Sequence, residues 1–272
     1  LSMQRFAVIG NPIEHSKSPQ IHAAFAAQEG ITIDYQRVLA DNDHFISTVN
    51  QLQEQGLVGL NVTVPFKVLA HANCAELNAY AKAAGAVNTL SFKQGVWQGA
   101  NTDGIGLLRD LEKNLGLALS GQRVLIIGAG GATRGIVLPL IEAGISELCI
   151  ANRSLPRAEA LATLFSHHPQ ITACVLDDIK QESYDLVINA TSASLSNEVP
   201  AIPAAVISSN TFCYDLAYAD HDTAFMRWAK TLQAQGCCDG LGMLLEQAAE
   251  SYFIWRGFRP DTATLFPLLR PA

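Results

Sequence analysis

A glycine-rich turn at residues 128–131 is the segment whose residue types point most directly to chemistry. It follows the apolar run at residues 124–127 and precedes a helix-like spacing of apolar residues that starts near Ala132. Glycines let a backbone turn tightly and approach phosphates, and the first N–H groups of the following helix face the negative charge. The order of strand, turn and helix therefore predicts a dinucleotide site. Its contacts are expected from Gly128, Ala129, Gly130, Gly131 and Ala132.

The spacing of this turn departs from the G-x-G-x-x-G pattern of dinucleotide folds, because Thr133 stands where the third glycine is expected. A plain turn between a strand and a helix of an α/β domain is the alternative interpretation.

The residues after the next predicted strand indicate which dinucleotide would bind. NAD sites usually place an acidic side chain there for the ribose 2′-hydroxyl, about 20 residues after the glycines. Here the strand ends in Asn152, Arg153 and Ser154, with Arg157 close behind. Guanidinium groups suit a dianionic phosphate, so these residues predict a 2′-phosphate pocket and hence NADP. Solvent-exposed arginines at the start of a helix are the alternative.

Polar side chains also follow several predicted strands in the first hundred residues. They are Ser16, Ser18, Asn61, Thr63, Lys67, Asn88 and Asp103. Ligands of open parallel sheets gather at the carboxyl ends of strands, where hydroxyls and amides suit a polyhydroxylated substrate. A lysine and an aspartate in this set could transfer a proton. Each residue could instead serve a turn, and Asp103 could simply cap the helix predicted from Gly104.

Length and composition set the class of protein that must position these residues. The chain has 272 residues, of which 49% are hydrophobic and 16% charged, and its net charge is −7. These values predict a globular chain with room for two domains, and they argue against a nucleic-acid surface or a membrane span. The six cysteines fit no zinc spacing, so no metal site is expected. No secretory signal is recognised, and a reducing cytoplasm is the expected setting.

Strand-like and helix-like segments alternate along the chain, which predicts an α/β fold with parallel sheets throughout. Besides the strand before the glycine turn, strands are predicted at residues 5–9, 35–39, 60–64, 86–92, 148–151, 173–176, 186–190 and 212–216. Besides the helix after that turn, helices are predicted at residues 18–28, 43–52, 76–83, 104–115, 157–165, 222–235 and 244–255.

A series of short motifs resembles the shikimate dehydrogenase family. In the first part of the chain they are H-S-K-S-P at 15–19, N-V-T-V-P-F-K at 61–67, G-A-V-N-T at 85–89 and N-T-D-G at 101–104. Further on they are G-A-G-G-A-T-R at 128–134, N-R-S at 152–154, N-A-T-S at 189–192 and D-G-L-G-M at 239–243. Eight motifs in order make the resemblance specific. It implies reversible NADPH-dependent reduction of 3-dehydroshikimate to shikimate, a step of aromatic amino-acid biosynthesis.

The resemblance also implies roles for individual residues. Lys67 would donate and accept the proton at the reduced carbonyl, beside Asp103. The substrate carboxylate would bind Ser16 and Ser18. The hydroxyls would bind Asn61, Thr63, Asn88 and Asp103, with Tyr218 and Gln247 closing the site. Thr191, Leu216, Gly240 and Met243 would extend the cofactor contacts.

The implied fold class is α/β with two domains. A discontinuous α/β substrate domain would comprise residues 1–103 and 240–272, and a Rossmann-like NADP-binding domain with a parallel sheet would comprise residues 104–239. Small-molecule substrate is the expected partner, and the oligomeric state, monomer or homodimer, is left open.

Few residues depart from the family pattern. Leu216 stands where methionine is frequent, Ser194 and Leu195 replace the usual Gly-Met, and Ala100 replaces a common acidic residue. Two alternatives for function stay open, a quinate/shikimate dehydrogenase of broader specificity and a non-catalytic NADP-sensing protein. An NADP-dependent folate dehydrogenase of similar architecture would instead need a site for a large aromatic substrate.

Overall fold

The computed structural model describes residues 3–270 of the chain. Two compact units divide it, the first made of residues up to 107 and from 244 onward, the second of residues 108–243. The sequence-based division into domains lies after residues 103 and 239, four residues before each of these boundaries. Residues 1, 2, 271 and 272, which the sequence-based division assigns to the substrate domain, lie outside the part of the chain that the structure describes.

The first unit contains a six-stranded sheet in the order β2-β1-β3-β5-β6-β4. The strands are β1 (Gln4–Gly10), β2 (Ile33–Leu39), β3 (Leu57–Val62), β4 (Glu76–Leu77), β5 (Thr89–Lys93) and β6 (Val96–Ala100). Its helices are α1 (Ser18–Glu29), α2 (Phe45–Glu54), α3 (Lys67–Asn73), α4 (Ala79–Ala84) and the start of α5 (Asp103–Arg109). The chain returns to this unit through α9 (Leu241–Arg256) and ends in α10 (Phe266–Leu269).

This first sheet is mixed, so the prediction of parallel sheets throughout is wrong here. β1 pairs in parallel with β2 and β3, but β5 runs antiparallel to both β3 and β6. The tight Gln94-Gly95 turn explains the pairing of β5 with β6, because two strands joined by so short a turn must be antiparallel. The antiparallel register sets Asn61 opposite Thr89, and Thr89 opposite Ala100.

Two local predictions in this unit are also wrong. The helix expected at residues 76–83 is a short strand, β4, followed by α4, because Asn78 caps the helix by accepting from the backbone N–H of Ala81. The helix α3 that begins at Lys67 was not predicted at all. Its seven residues are too few for the apolar periodicity of a helix to be recognised.

Apolar side chains of the first sheet and of the helices packed against it form a core of this unit. Residues of β1 and β3 such as Ile9 and Leu60 are fully buried, and they pack with Phe45 of α2 and with Phe66, whose ring stacks on Phe45 at 4.7 Å. α9 is tied to α1 by an ion pair of Arg256 with Glu29, 2.5 Å long, which lowers the pKa of the Glu29 carboxyl.

The second unit contains a six-stranded parallel sheet in the order β12-β11-β10-β7-β8-β9. The strands are β7 (Arg123–Ile127), β8 (Glu147–Asn152), β9 (Ile171–Val175), β10 (Leu186–Asn189), β11 (Phe212–Asp215) and β12 (Gly236–Cys238). The helices are α6 (Gly131–Glu142), α7 (Leu155–Thr163) and α8 (Ala224–Thr231). This strand order is that of the Rossmann dinucleotide folds, and the parallel sheet predicted for this part of the chain is confirmed.

Buried polar groups hold the start of this second unit. A π-helical turn, Asp110–Asn114, follows α5 and buries Asp110, whose carboxylate accepts a 2.6 Å hydrogen bond from the hydroxyl of Tyr214. A Cβ atom on Gly242 would lie 2.0 Å from this carboxylate, so only glycine fits there.

None of the helices in the described residues is both long and apolar enough to cross a membrane.

His22 on α1 is a fully buried histidine of the first unit. Its ring stacks on Tyr35 with centroids 4.5 Å apart and lies 5.4 Å from the ring of Trp255. Burial lowers the pKa of His22 from 6.5 to about 3. The folded protein therefore keeps this imidazole neutral, while the unfolded chain takes up a proton below about pH 6.5. Stability must fall as the pH drops from this value towards about 3.

We expect His22→Phe to remove this part of the pH dependence. In the wild type, His22 should cost about 2 kcal/mol of unfolding free energy between pH 7 and pH 5, since one pKa unit corresponds to about 1.4 kcal/mol. Urea unfolding followed by circular dichroism at the two pH values measures this difference. His15→Phe, which replaces an exposed imidazole, serves as the control. An unchanged pH dependence in His22→Phe would contradict the buried neutral state.

Candidate functional site

An ion pair between Lys67 and Asp103 is the centre of the polar site in the first unit. Lys67 Nζ lies 2.7 Å from Asp103 Oδ2, and their side chains are 17% and 8% exposed. Lys67 is the first residue of α3, which is an unfavourable place for a cation because the helix dipole is positive there. Asp103, the first residue of α5, offsets this with a negative charge.

Asn88 joins the pair to the neighbouring strands. Its Nδ2 donates to Asp103 Oδ1 at 2.9 Å and to Thr102 Oγ1 at 2.8 Å. Its Oδ1 accepts from the backbone N–H of Thr102 at 2.9 Å and from Thr89 Oγ1 at 2.9 Å. Every hydrogen-bonding position of this 3% exposed amide faces a partner of the right kind, so its orientation is unambiguous.

Asn61 on β3 occupies the neighbouring strand position. Its Oδ1 accepts from the Tyr35 hydroxyl at 2.6 Å, and its Nδ2 donates to Ser251 Oγ at 3.1 Å. Burial raises the pKa of Tyr35, and a hydrogen bond with Ser18 opposes the rise. Ser18 therefore belongs to the same polar cluster as Asn61.

Gln247 on α9 also lies in this cluster. Its side-chain oxygen accepts from Asn88 Nδ2 at 3.3 Å, and its backbone carbonyl accepts from Thr102 Oγ1 at 3.0 Å. Ser16 lies in the loop before α1, where its hydroxyl accepts from the backbone N–H of Ser18 and its carbonyl accepts two hydrogen bonds from Arg37. The structure thus brings together Ser18, Asn61, Lys67, Asn88, Asp103 and Gln247.

Thr63 and Tyr218 are not joined to this cluster by any described hydrogen bond. Thr63 follows β3, where its carbonyl accepts from the backbone N–H of Phe66. Tyr218 belongs to the second unit.

Two cluster members, Tyr35 and Ser251, were missed by the sequence analysis, while Thr89 and Thr102 lie within the motifs at 85–89 and 101–104 but were given no role. Ser251 left a signal, since it follows Gln247 by four residues on a predicted helix and therefore shares its face.

In the second unit, the glycine turn has the geometry predicted for it. Gly128 has a φ of 110°, in the left-handed region, and a Cβ atom there would come within 3.0 Å of the Ala190 carbonyl. A Cβ atom on Gly130 or Gly131 would meet no described protein atom within 4 Å. The turn therefore leaves room for a group against the N-terminus of α6. Thr133, at the unexpected third position, is fully buried and donates to the Gly128 carbonyl at 2.8 Å, which ties the turn to α6.

A cavity of about 510 Å³ lies over this turn. Seven of the residues predicted to bind a dinucleotide line this cavity, together with further residues of the same unit. The seven are Gly128, Ala129, Gly130, Asn152, Arg153, Arg157 and Thr191. The guanidinium groups of Arg153 and Arg157 are exposed, and neither forms an ion pair within the described part of the chain. Two unpaired cations at the mouth of a glycine-lined cavity fit a phosphate-bearing dinucleotide. Ser154 lies at the N-terminal boundary of α7, and Ala132 is the second residue of α6.

Asp215 is the last residue of β11 and lies at the edge of the second sheet where the parallel strands end. This fully buried carboxylate accepts from Ser194 Oγ at 2.5 Å and from Thr223 Oγ1 at 2.7 Å. Burial raises the pKa of Asp215, and these two hydrogen bonds oppose the rise. Ser194, one of the departures from the family pattern, thus anchors its loop to β11.

The remaining predicted cofactor residues lie near this strand edge. A Cβ atom on Gly240 would fall 2.2 Å from the Leu216 carbonyl, so the two backbones approach closely enough to require glycine. The backbone N–H of Met243 donates to the Tyr214 hydroxyl at 3.2 Å.

Chemically, the first unit offers a lysine held by a carboxylate among amides and hydroxyls, an arrangement that can transfer a proton to a polyhydroxylated molecule. The second unit offers a cradle for a dinucleotide. Within residues 3–270, no group of three or more His, Cys, Asp or Glu is placed to hold a metal ion.

Three protein-family models match the chain. They describe a shikimate dehydrogenase substrate binding domain at residues 8–90, a shikimate/quinate 5-dehydrogenase at residues 110–214 and a shikimate 5′-dehydrogenase C-terminal domain at residues 240–265.

Similar proteins cover nearly the whole chain. A shikimate dehydrogenase (NADP⁺) of Methylobacillus flagellatus is 49% identical over 271 residues, which are 99% of this chain and 100% of the relative. The crystal structure of an Ael1 enzyme from Pseudomonas putida is 43% identical with a TM-score of 0.92, covering 99% of each chain. That of shikimate 5-dehydrogenase from Thermus thermophilus, in complex with NADP(H) and shikimate, is 32% identical with a TM-score of 0.86, covering 96% of each chain.

Proposed function

The chain belongs to the shikimate dehydrogenase family, and on that basis we propose that it catalyses the reversible NADPH-dependent reduction of 3-dehydroshikimate to shikimate. The observation that carries the proposal is the Lys67–Asp103 pair within a cluster of amides and hydroxyls. A protein that only sensed the nucleotide would have little need for this pair. Its relatives of nearly equal length are NADP⁺-dependent shikimate dehydrogenases.

Substrate binding is assigned to the polar cluster of the first unit. Asn61 and Asn88 of this cluster supply amide groups for the ring hydroxyls, and Thr63, which follows β3 outside the cluster, supplies a further hydroxyl. The serine loop, with Ser16 and Ser18, supplies donors for the carboxylate. Hydroxyl and amide donors bind a carboxylate through charge-assisted hydrogen bonds. We assign Gln247 to the same site because its side chain already contacts Asn88.

Proton transfer is assigned to Lys67. In reduction, the ammonium donates a proton to the carbonyl oxygen as negative charge develops on it, and the product is an alcohol with a neutral amine beside it. In oxidation, the amine accepts the hydroxyl proton as the carbonyl forms. Asp103 orients the lysine through the 2.7 Å contact. NADPH, when bound, supplies the hydride.

Cofactor binding is assigned to the glycine turn and the two arginines of the second unit. The turn and the N-terminus of α6 suit the pyrophosphate. Arg153 and Arg157 suit the 2′-phosphate, and Asn152, Ser154 and Thr191 surround them. We assign Leu216, Gly240 and Met243 to the nicotinamide end, beside the loop anchored by Ser194.

We also place the enzyme in the cytoplasm. All six cysteines are free thiols in the structure, and Cys149 and Cys213 are buried in strands of the second sheet. Free thiols are typical of a reducing compartment.

Substitution of Lys67 tests the proposed function. The wild type should reduce NADP⁺ when given shikimate, and Lys67→Ala should lower kcat about 10²- to 10⁴-fold with a much smaller change in KM for shikimate. NADPH absorbance in a steady-state assay measures both constants. Lys82→Ala, which removes an exposed lysine of the same unit, is the matched control and should keep the wild-type kcat. No turnover of shikimate by the wild type, or normal kcat in Lys67→Ala, would overturn the proposal.

Substitution of Arg153 tests the cofactor assignment. Arg153→Ala should raise KM for NADP⁺ by about 10- to 100-fold, because a hydrogen bond to a charged group is worth about 1.5–3 kcal/mol. KM for NAD⁺, which lacks the 2′-phosphate, should change much less. Lys113→Ala removes a positive charge elsewhere on the second unit and should affect neither cofactor. Equal losses with the two cofactors would instead mean that Arg153 supports the fold.

A further inference from the structure

We propose that Ser251 is a positioning residue of the substrate site. Its hydroxyl joins Asn61 to Thr89 in a chain of hydrogen bonds that runs in one direction, from Tyr35 to Asp103. The inference rests on the proposed function only in taking Asn61 and Asn88 as substrate contacts. The direction of each bond follows from the groups present, beginning at the carboxylate of Asp103.

The direction of the chain begins at Asp103. An ionised carboxylate can only accept hydrogen bonds, so Asn88 must present its NH₂ group to Asp103 Oδ1. The backbone N–H of Thr102, which can only donate, requires the same orientation because it faces Asn88 Oδ1 at 2.9 Å. Thr89 Oγ1, also 2.9 Å from Asn88 Oδ1, must therefore be a donor to it.

The next bond lies between Thr89 and Ser251, whose oxygens are 2.7 Å apart. Because a hydroxyl has one proton and the proton of Thr89 points to Asn88, Ser251 must donate here. The Gln247 carbonyl, 3.1 Å from Ser251 Oγ, competes for the Ser251 proton. That carbonyl already accepts from Thr102 Oγ1 at 3.0 Å and lies in the i to i−4 ladder of α9, so its two lone pairs are in use.

Asn61 and Tyr35 complete the chain. Since the Ser251 proton points to Thr89, its oxygen accepts from Asn61 Nδ2 at 3.1 Å. Asn61 must then turn Oδ1 towards Tyr35, which donates at 2.6 Å. Burial raises the pKa of Tyr35, so this hydroxyl keeps its proton and remains a donor.

The consequence concerns the face that Asn61 shows to a substrate. An amide has a donor end and an acceptor end, and rotating it by half a turn exchanges them. Ser251 and Tyr35 hold one orientation, which leaves the second lone pair of Asn61 Oδ1 in a defined direction. Without Ser251, Asn61 Nδ2 keeps only its longer contacts with the Asn88 carbonyl at 3.3 Å and with Thr89 Oγ1 at 3.4 Å. The amide is then held less firmly, and substrate hydroxyls lose part of a preorganised partner.

Removing the hydroxyl should therefore weaken substrate binding more than catalysis. Ser251→Ala should raise KM for shikimate about tenfold, as expected for about one buried hydrogen bond, while kcat and KM for NADP⁺ stay within about threefold. Thr89→Val removes the next link at nearly constant volume and should do the same. Because the two substitutions break the same chain of hydrogen bonds, their effects should not add. KM for shikimate in the double variant should be about that of the more impaired single variant.

Thr262→Val is the matched control, because it removes another buried hydroxyl of this unit, one that donates to Glu246. It should destabilise the fold without changing KM for shikimate. Wild-type KM in both Ser251→Ala and Thr89→Val, or equal effects of Thr262→Val, would overturn the positioning role.

Neutron diffraction from a crystal of the deuterium-exchanged wild type tests the chain without any turnover. The deuteron of Ser251 should point to Thr89 Oγ1, and that of Thr89 to Asn88 Oδ1. A Ser251 deuteron directed at the Gln247 carbonyl would overturn the inference. A wild type that shows the predicted deuterons but does not turn over shikimate would instead overturn the proposed function.

Discussion

The acceptor-only carboxylate of Asp103 is the group on which the polar site of the first unit depends. It takes the Lys67 ammonium on one oxygen and the Asn88 amide on the other. Neither bond can be reversed while Asp103 is ionised, so this charge determines where the proton donor stands and, together with the Thr102 N–H, which end the Asn88 amide presents. Asp103 thus orients the reactive lysine directly and acts on the other groups assigned to binding through Asn88.

Burying such a charge is costly, and the surrounding fold offsets the cost with well-placed partners. The antiparallel register of β3 and β5 sets Asn61 opposite Thr89, and the start of α5 places Asp103 beside both α3 and Asn88. α9 adds Gln247 and Ser251 from almost the far end of the chain, since Ser251 and Asn61 are 190 residues apart. The core of apolar side chains beneath the sheet keeps these elements rigid enough for the polar groups to meet.

Much of this architecture could be predicted from the sequence, because the strongest signals are local. The glycine turn before α6 and the apolar runs of β7 and β10 indicate the parallel sheet of the second unit without reference to distant residues. Lys67, Asn88 and Asp103 could be named as candidates because each is a polar residue that follows or interrupts a predicted strand.

The connections among these residues could not be predicted. Thr89 lies beside Asn61 because of an antiparallel pairing that the strand–helix alternation did not indicate. Ser251 reaches the same place on α9, a helix from near the end of the chain. Tyr35 looked like an ordinary strand residue. Only the structure shows that its hydroxyl donates to Asn61 on a different strand. Thr133 departs from the glycine pattern, yet its hydroxyl donates to the Gly128 carbonyl and stabilises the turn.

The most direct test of Asp103 as the organising charge is a kinetic comparison of Asp103→Asn with the wild type, using shikimate and NADP⁺. Asparagine keeps the size of the side chain but can donate as well as accept, so both Lys67 and Asn88 lose a defined partner. We expect kcat to fall at least about 100-fold, the usual contribution of a positioned acid–base group, and KM for shikimate to rise in the same variant. A kcat and a KM both within about threefold of wild type would contradict this role of Asp103.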